Sequence, residues 1–211
     1  MCGENHETTD CSLWQFAIAE NKEDHDLHAA KLQLRQGRSG AGCIVPLDAV
    51  NTRDVPGDGD CMFHAWGLEL RARFPELLGS GGAEVAAPGR YWREYLVAFV
   101  ANPDSILDDR PVREWVRAVA RKSVDEYAAY IRAQNRPWGG FFELCLLCAA
   151  WGHGLSCGVL ERTAVGYRVL GVCGAAPSRR SHSVFLLWTG GHYMRARVRQ
   201  QARKTISEWE G

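Results

Sequence analysis

The sequence predicts an α+β fold, with several helices packed on a small mixed or antiparallel sheet, and three observations lead there. Helix-period apolar patterns fill the middle of the chain from Cys61 to Trp151. Four aliphatic, strand-like pieces follow at 155–160, 167–172, 183–189 and 192–198. Gly, Pro, Asn and Asp cluster at the joints. A chain of 211 residues that is 46% hydrophobic and 24% charged buries one substantial core, so one catalytic-size domain is expected.

Residues 1–42 read as an N-terminal extension, polar and acidic at first, with a helix over Leu13–Leu34 whose apolar stripe is poor. A Gly/Ser/Arg linker, Arg35 to Gly42, follows. The compact domain spans 43–198 and starts where the chain turns apolar at Cys43-Ile44-Val45. Residues 50–56 are extended and lead into Pro56-Gly57-Asp58-Gly59-Asp60, a run of turn formers. Met62, Ala65, Trp66, Leu70 and Phe74 then recur at spacings of three and four, so a helix begins at Cys61 and ends before Pro75.

Residues 78–89 form a Gly-rich loop, and Tyr91–Ala101, Pro111–Arg121 and Val124–Ala133 read as helices, Asp108-Asp109 suiting the start of the second. Phe141–Trp151 is apolar enough for a buried helix. Among the strands, Thr189-Gly190-Gly191 is a hairpin turn that sets His192 at the head of the last one. Residues 199–211 are a polar, basic tail.

Charge excludes some partners. With 25 Lys+Arg against 25 Asp+Glu there is no global field to draw in nucleic acid or an anionic membrane. No apolar run approaches the roughly 20 residues of a membrane span, and the Met1 end lacks a secretory pattern. The expected location is the cytoplasm, that of a host cell if the chain is a microbial or viral effector. The eight cysteines are scattered, as reduced packing thiols are. A monomer without cofactor or metal is expected.

Cys61 stands apart. A cysteine in the first turn of a helix gains thiolate character from free amides and the positive dipole end. The same turn, opened by Gly57 and Gly59, can aim N–H groups at the oxyanion of an acyl-transfer intermediate. Asp58 and Asp60 oppose the thiolate, so a cation must offset them, and an imidazolium is the natural choice. Of seven histidines, those at 6, 25 and 28 precede the domain, and His64 shares the helix of Cys61 and offers no independent approach to the sulfur. His192, on a separate strand, can reach the helix start from across the fold.

At these residues the chain resembles a known family. Pro56-Gly57-Asp58-Gly59-Asp60-Cys61-Met62-Phe63 is similar to the signature around the catalytic cysteine of ovarian-tumour (OTU) deubiquitinases. Trp138-Gly139-Gly140 with Glu143-Leu144, then Gly191-His192-Tyr193, follow in the family's order, covering roughly residues 50 to 198. The resemblance implies a papain-like cysteine protease plan of the OTU type, hydrolysing isopeptide bonds at the C-terminus of ubiquitin or polyubiquitin. It assigns Asp58 to the oxyanion-hole turn, Cys61 as nucleophile and His192 as general base, with Trp138-Gly139 packing near the site.

Two positions depart from the pattern. Asp60 stands where the family usually has Asn, its charge either depressing the thiolate or paired by a basic neighbour such as Arg53. Met194 stands where many members carry an Asp or Asn that orients the imidazole, and neither residue type follows His192. Upstream, Asp48, Asn51 and Asp54 are open as substitutes, as are a backbone carbonyl and water. The rival reading is a catalytically silent OTU-like module that holds ubiquitin or another partner; a protease for a ubiquitin-like modifier and a thiol transferase on the same plan also fit.

Bland readings cover the other candidates. Cys145, Cys148, His153 and Cys157 have a zinc-like spacing, but Leu144, Leu146, Leu147, Ala149 and Ala150 around the first two make a packed helix face the simpler account. The tryptophans read as core, and Arg168, Arg179 and Arg180 as solvated strand edges.

Overall fold

In a computed structural model, the structure describes residues 44–76, 88–133, 139–152, 154–174, 182–203 and 206. The helix expected over 13–34, the linker after it, Trp138, His153, Arg179 and Arg180 lie outside them. The chain opens with strand β1 (Ile44–Val45), a 3-10 turn (Leu47–Ala49) and β2 (Val50–Arg53). Helices α1 (Cys61–Arg73) and α2 (Pro88–Ala101) follow, then a small hairpin of β3 (Ile106–Leu107) and β4 (Arg110–Pro111). Next come α3 (Val112–Trp115), a π-helical turn (Val116–Ala120), α4 (Val124–Arg132) and α5 (Phe141–Trp151). Four strands close the domain, β5 (Leu155–Arg162), β6 (Tyr167–Gly174), β7 (His182–Trp188) and β8 (Tyr193–Val198).

Most of these elements sit where the hydrophobic periodicity puts them, including the helix expected over 111–121, which is present as α3 and the π-helical turn over 112–120; what differs is how it is entered. Asp108 and Asp109 have φ of 50° and 66°, the pair of left-handed residues that a two-residue hairpin turn needs, so they join β3 to β4 instead of opening a helix. The indole N–H of Trp115 donates to Leu107 O at 2.7 Å and ties this hairpin to α3. Arg121, with φ 52°, ends the π turn, and Ser123 starts α4 with a reciprocal cap: its Oγ accepts from the Glu126 N–H, and Glu126 Oε2 accepts from the Ser123 N–H.

Six strands form one mixed sheet in the order β1-β6-β5-β7-β8-β2, with β5 and β7 parallel and the other neighbours antiparallel. Period-two alternation divides the buried residues between its faces. Val184, Leu186 and Tyr193 join the main core with α1, α2, α4 and α5, whereas Phe185, Leu187, Ala196 and Val198 point to a second, smaller core completed by Val45, Ala49, Val50 and Ile206. A bulge between Val159 and Leu160 slips the β5–β6 register by one residue. Tyr167 and Val169 therefore face the second core while Cys173, of the same parity, faces the first. No helix among the described residues is long and apolar enough to cross a membrane.

Helix α1 threads the middle of the main core and is buried on nearly every side from Cys61 to Leu70. Its one internal charge of that stretch, Glu69, is fully buried and binds Arg73 Nε and Arg195 Nε, each at 2.7 Å, bridging α1 to β8. Removing core volume between sheet and helices should be costly. Leu186→Ala is expected to destabilise the fold by about 2–5 kcal/mol; Val165→Ala, at a position 74% exposed, should stay within about 0.5 kcal/mol. Urea denaturation midpoints of the two variants check both values.

Candidate active site

The turn before α1 is built from its own carboxylates. Asp58 Oδ1 accepts the Asp60 N–H at 3.0 Å, an Asx turn, and Gly59 takes φ 83°, a conformation that favours glycine. Asp58 Oδ2 meets His64 Nε2 at 3.1 Å, and His64 Nδ1 accepts the Gly89 N–H at 3.1 Å. Since Nδ1 accepts from a backbone amide, the proton of this imidazole resides on Nε2 and is donated to Asp58. Both ring nitrogens of His64 are thereby occupied, and the residue is a strut between the turn and the start of α2. Burial acts to raise the Asp58 carboxyl, but hydrogen bonds from His64 and Asp60 outweigh it and hold the group below its ordinary range.

Asp60, the residue immediately before α1, is buried, and its carboxylate is bound by Arg93 Nε at 2.5 Å. The same guanidinium donates from Nη2 to Gly59 O at 3.0 Å and from Nη1 to Ile131 O at 2.9 Å, and lies 4.6 Å from the Phe63 ring centroid. The cation that pairs with Asp60 is thus Arg93 on α2, and Arg53 is instead a strand residue opposite Arg195. A sequence signal for Arg93 existed: with Leu96, Val97 and Val100 it occupies the i, i+3, i+4, i+7 stripe of a helix, the one charge on a buried face. Gly139, from the Trp-Gly-Gly block, packs against Met62 and Phe63 just inside the same helix.

Cys61 is the first residue of α1 and is 6% exposed; its Sγ accepts the backbone N–H of Tyr193 at 3.5 Å. Burial pushes this thiol above its ordinary value of 9.0, and the Asp58 charge adds to the rise, while the N–H groups of Tyr193 and Met62 oppose it. Asp58 raises the thiol, whereas Asp60, nearer in sequence, is paired with Arg93.

One residue before Tyr193, His192 Nε2 meets Asp54 Oδ1 at 2.8 Å. Asp54 also accepts the Val55 N–H at 2.9 Å. The hydrogen bond from His192, then that from Val55, holds this carboxyl below its ordinary 3.8. With its Nε2 proton given to Asp54, the imidazole keeps its lone pair on Nδ1. The position of Asp54 follows from strand register. β2 pairs with β8 so that Arg53, its last residue, lies opposite Arg195, and Asp54, the next residue, leaves the ladder on the side of His192. Of the three upstream residues left open, the structure brings Asp54 to His192; Asp48 instead lies 3.6 Å from Arg199, and Asn51 pairs in register with Arg197.

The structure therefore gathers Asp58, Cys61, His192 and Asp54 at the junction of α1, β8 and the end of β2. No hydrogen bond joins Cys61 to His192 among the described residues; the two are linked through Tyr193. Elsewhere, Cys148, Cys157 and Cys173 are buried in the main core, with Cys148 Sγ 3.8 Å from Cys173 Sγ. Among the described residues, metal-type ligand atoms converge in threes at Asp58, Asp60 and His64, whose atoms are already engaged by one another, Arg93 and Gly89.

No protein-family model matches the chain, and no curated protein matches it in sequence. Solved structures do. The OTU-domain protease of Taggert virus is 14% identical with a TM-score of 0.54, over 75% of this chain and 86% of that one. The OTU-domain protease of Dera Ghazi Khan virus is 21% identical at a TM-score of 0.48, covering 72% and 83%. An OTU deubiquitinase of Wolbachia pipientis wMel bound to ubiquitin is 18% identical at 0.47, covering 72% and 98%. The chain has the OTU-type, papain-like α+β fold.

Two outcomes test this geometry. Arg93→Met strands a buried carboxylate and should cost about 3–5 kcal/mol, part of it recovered in Arg93→Met with Asp60→Leu, as chemical denaturation would measure. A carboxyl lowered on folding stabilises the protein above its unfolded pKa and loses that contribution as pH falls through its folded one. Asp54 should accordingly titrate below 3.8, and its midpoint should move back up in His192→Ala, read from its carboxyl carbon by NMR.

Proposed function

We propose that the chain is a cysteine-type deubiquitinase that hydrolyses isopeptide bonds at the ubiquitin C-terminus through a thioester on Cys61. The observation that carries this reading is a pair of contacts made by consecutive residues: His192 Nε2 on the Asp54 carboxylate and the Tyr193 N–H on Cys61 Sγ. An imidazole oriented by a carboxylate thus stands one residue from a sulfur at a helix start, the nucleophile, base and orienter relation of acyl-transfer sites. The ubiquitin substrate rests on the three ordered motifs that resemble OTU deubiquitinases and on the OTU-type fold; a ubiquitin-like modifier would be handled by the same chemistry.

In this mechanism His192 Nδ1 takes the Cys61 proton as the sulfur attacks the carbonyl carbon. The oxyanion is held by N–H groups of the Asp58–Cys61 turn. Because the Asp60 N–H is committed to Asp58, the amides of Gly59 and Cys61 are the donors assigned. Collapse of the intermediate breaks the C–N bond, and the proton on Nδ1 passes to the departing lysine amine. Water then gives a proton to Nδ1 as its oxygen attacks the thioester, the C–S bond breaks and the thiol is restored. Asp54 keeps the ring in the tautomer that leaves Nδ1 basic, and stabilises the imidazolium between the two steps. Catalytic hydrogen bonds are commonly long before substrate is bound, which accommodates the absence of a Cys61–His192 bond here.

The raised Cys61 thiol favours one rival, a silent OTU-like module that binds ubiquitin or another partner without cutting it. Labelling with a ubiquitin probe bearing a C-terminal thiol-reactive group separates the two. The wild-type chain should form an adduct, Cys61→Ala none, and His192→Ala should label about 10²–10⁴ times more slowly, with Asp54→Ala between wild type and His192→Ala. Alkylation of Cys61 by iodoacetamide should show a limb near neutral pH that disappears in His192→Ala, leaving only the rise above pH 9. Coincident profiles, together with no adduct, would establish the silent module.

A further inference from the structure

At the end of the β2–β8 ladder away from Asp54 and His192, guanidiniums crowd around a cavity. Asn51 and Asp54 are separated by about 10 Å along β2, so this place does not overlap the site above. The cavity is about 600 Å³ and open to solvent, and among the described residues its polar lining comes from Asn51, Arg73, Arg197, Arg199, Gln200 and Arg203, with Asp48 as the one carboxylate of that set. In a chain with 25 Lys+Arg and 25 Asp+Glu, four arginines against one aspartate is a local concentration of positive charge.

Alternation along β8 produces this cluster. Arg195 and Arg197 project from the face that meets α1, where Glu69 binds Arg195 and Arg73 but no further arginine. Arg197 is exposed and makes no hydrogen bond or ion pair among the described residues. Its charge and that of Arg195 bear on Arg73, which burial first of all, and then these two neighbours, push below its ordinary value. Arg203 is fixed from below: Nε donates to Val198 O at 2.6 Å, Nη1 donates to Ser183 O at 3.2 Å, and the group lies 5.4 Å from the Phe185 centroid. A guanidinium held in this way loses little freedom when it binds an anion.

From this arrangement we infer a second binding site, for a compact polyphosphate group: a small soluble molecule carrying two or more clustered phosphates. The volume lies within the range of small-ligand pockets, about 300–1,000 Å³. Planar guanidinium forks match phosphate oxygens two at a time, and several forks around one hollow match several phosphates. Among the described residues the lining has no aromatic ring for a nucleobase to stack on, so the phosphates themselves are what is recognised, with Asn51 and Gln200 as neutral partners for ester or hydroxyl oxygens.

The test is calorimetric titration of the full chain with inorganic tripolyphosphate at low ionic strength, with monophosphate and citrate as comparison ligands. Saturable one-to-one binding of tripolyphosphate is expected, weakened by salt and at least tenfold tighter than either comparison ligand. Arg197→Glu with Arg199→Glu should weaken it at least tenfold and leave the ligand-free melting temperature unchanged, because both side chains are exposed. Absence of saturable binding, binding indifferent to the two substitutions, or citrate binding as tightly would overturn the assignment.

Discussion

The ion pair between Asp60 and Arg93 is the constraint on which the site depends. Asp60 precedes α1, where the helix dipole favours a negative charge, yet it is buried, and a carboxylate out of water needs a partner. Arg93 supplies it and spends its other donors on Gly59 O and Ile131 O. One guanidinium therefore fixes the glycine turn, the start of α1 and the end of α4 relative to α2. It also pairs the Asp60 charge next to Cys61, while Asp58 acts to raise the thiol. His64 completes the brace by tying Asp58 to the backbone of Gly89. A turn held at each of its carboxylates can keep its amides aimed in one direction without substrate, which is the condition for stabilising an oxyanion.

The other half of the site shows how a sheet can replace a missing residue. Where the sequence has Met194, β8 turns that side chain toward the second core, and no Asp or Asn follows His192 in the chain. The chain leaving the neighbouring strand presents Asp54, immediately after the last paired residue Arg53, and its carboxylate meets His192 Nε2 at 2.8 Å. A carboxylate there reaches the imidazole as readily as one on the same strand. Glu69, by binding Arg195, fixes how β8 lies on α1 and so sets the distance from Tyr193 to Cys61.

Much of the architecture was legible because its signals are local. The three-and-four spacing after Cys61, the alternation at 155–198 and the Thr189-Gly190-Gly191 turn each describe one element and its own hydrogen bonds. Asp108-Asp109 misled for the same reason: two acidic residues before a proline suit a helix start in sequence, whereas their left-handed backbone serves the hairpin that Trp115 fastens. The β5–β6 bulge had no comparable signal, since Leu170-Gly171-Val172 is as apolar on one side of the slip as on the other.

By itself the sequence determined the α+β class, the order of the elements, and the candidacy of Cys61 and His192, because turn chemistry and hydrophobic period are properties of short stretches, while the candidacy of Asp58 was implied by the family resemblance. Only the tertiary structure decided that Asp54 and not Asp48 or Asn51 meets His192, that Arg93 and not Arg53 neutralises Asp60, and that four arginines dispersed along the chain line one cavity at one end of a ladder. These are pairings between elements far apart in sequence. They are selected by strand register and by the need of each buried charge for a partner, and no local pattern encodes either.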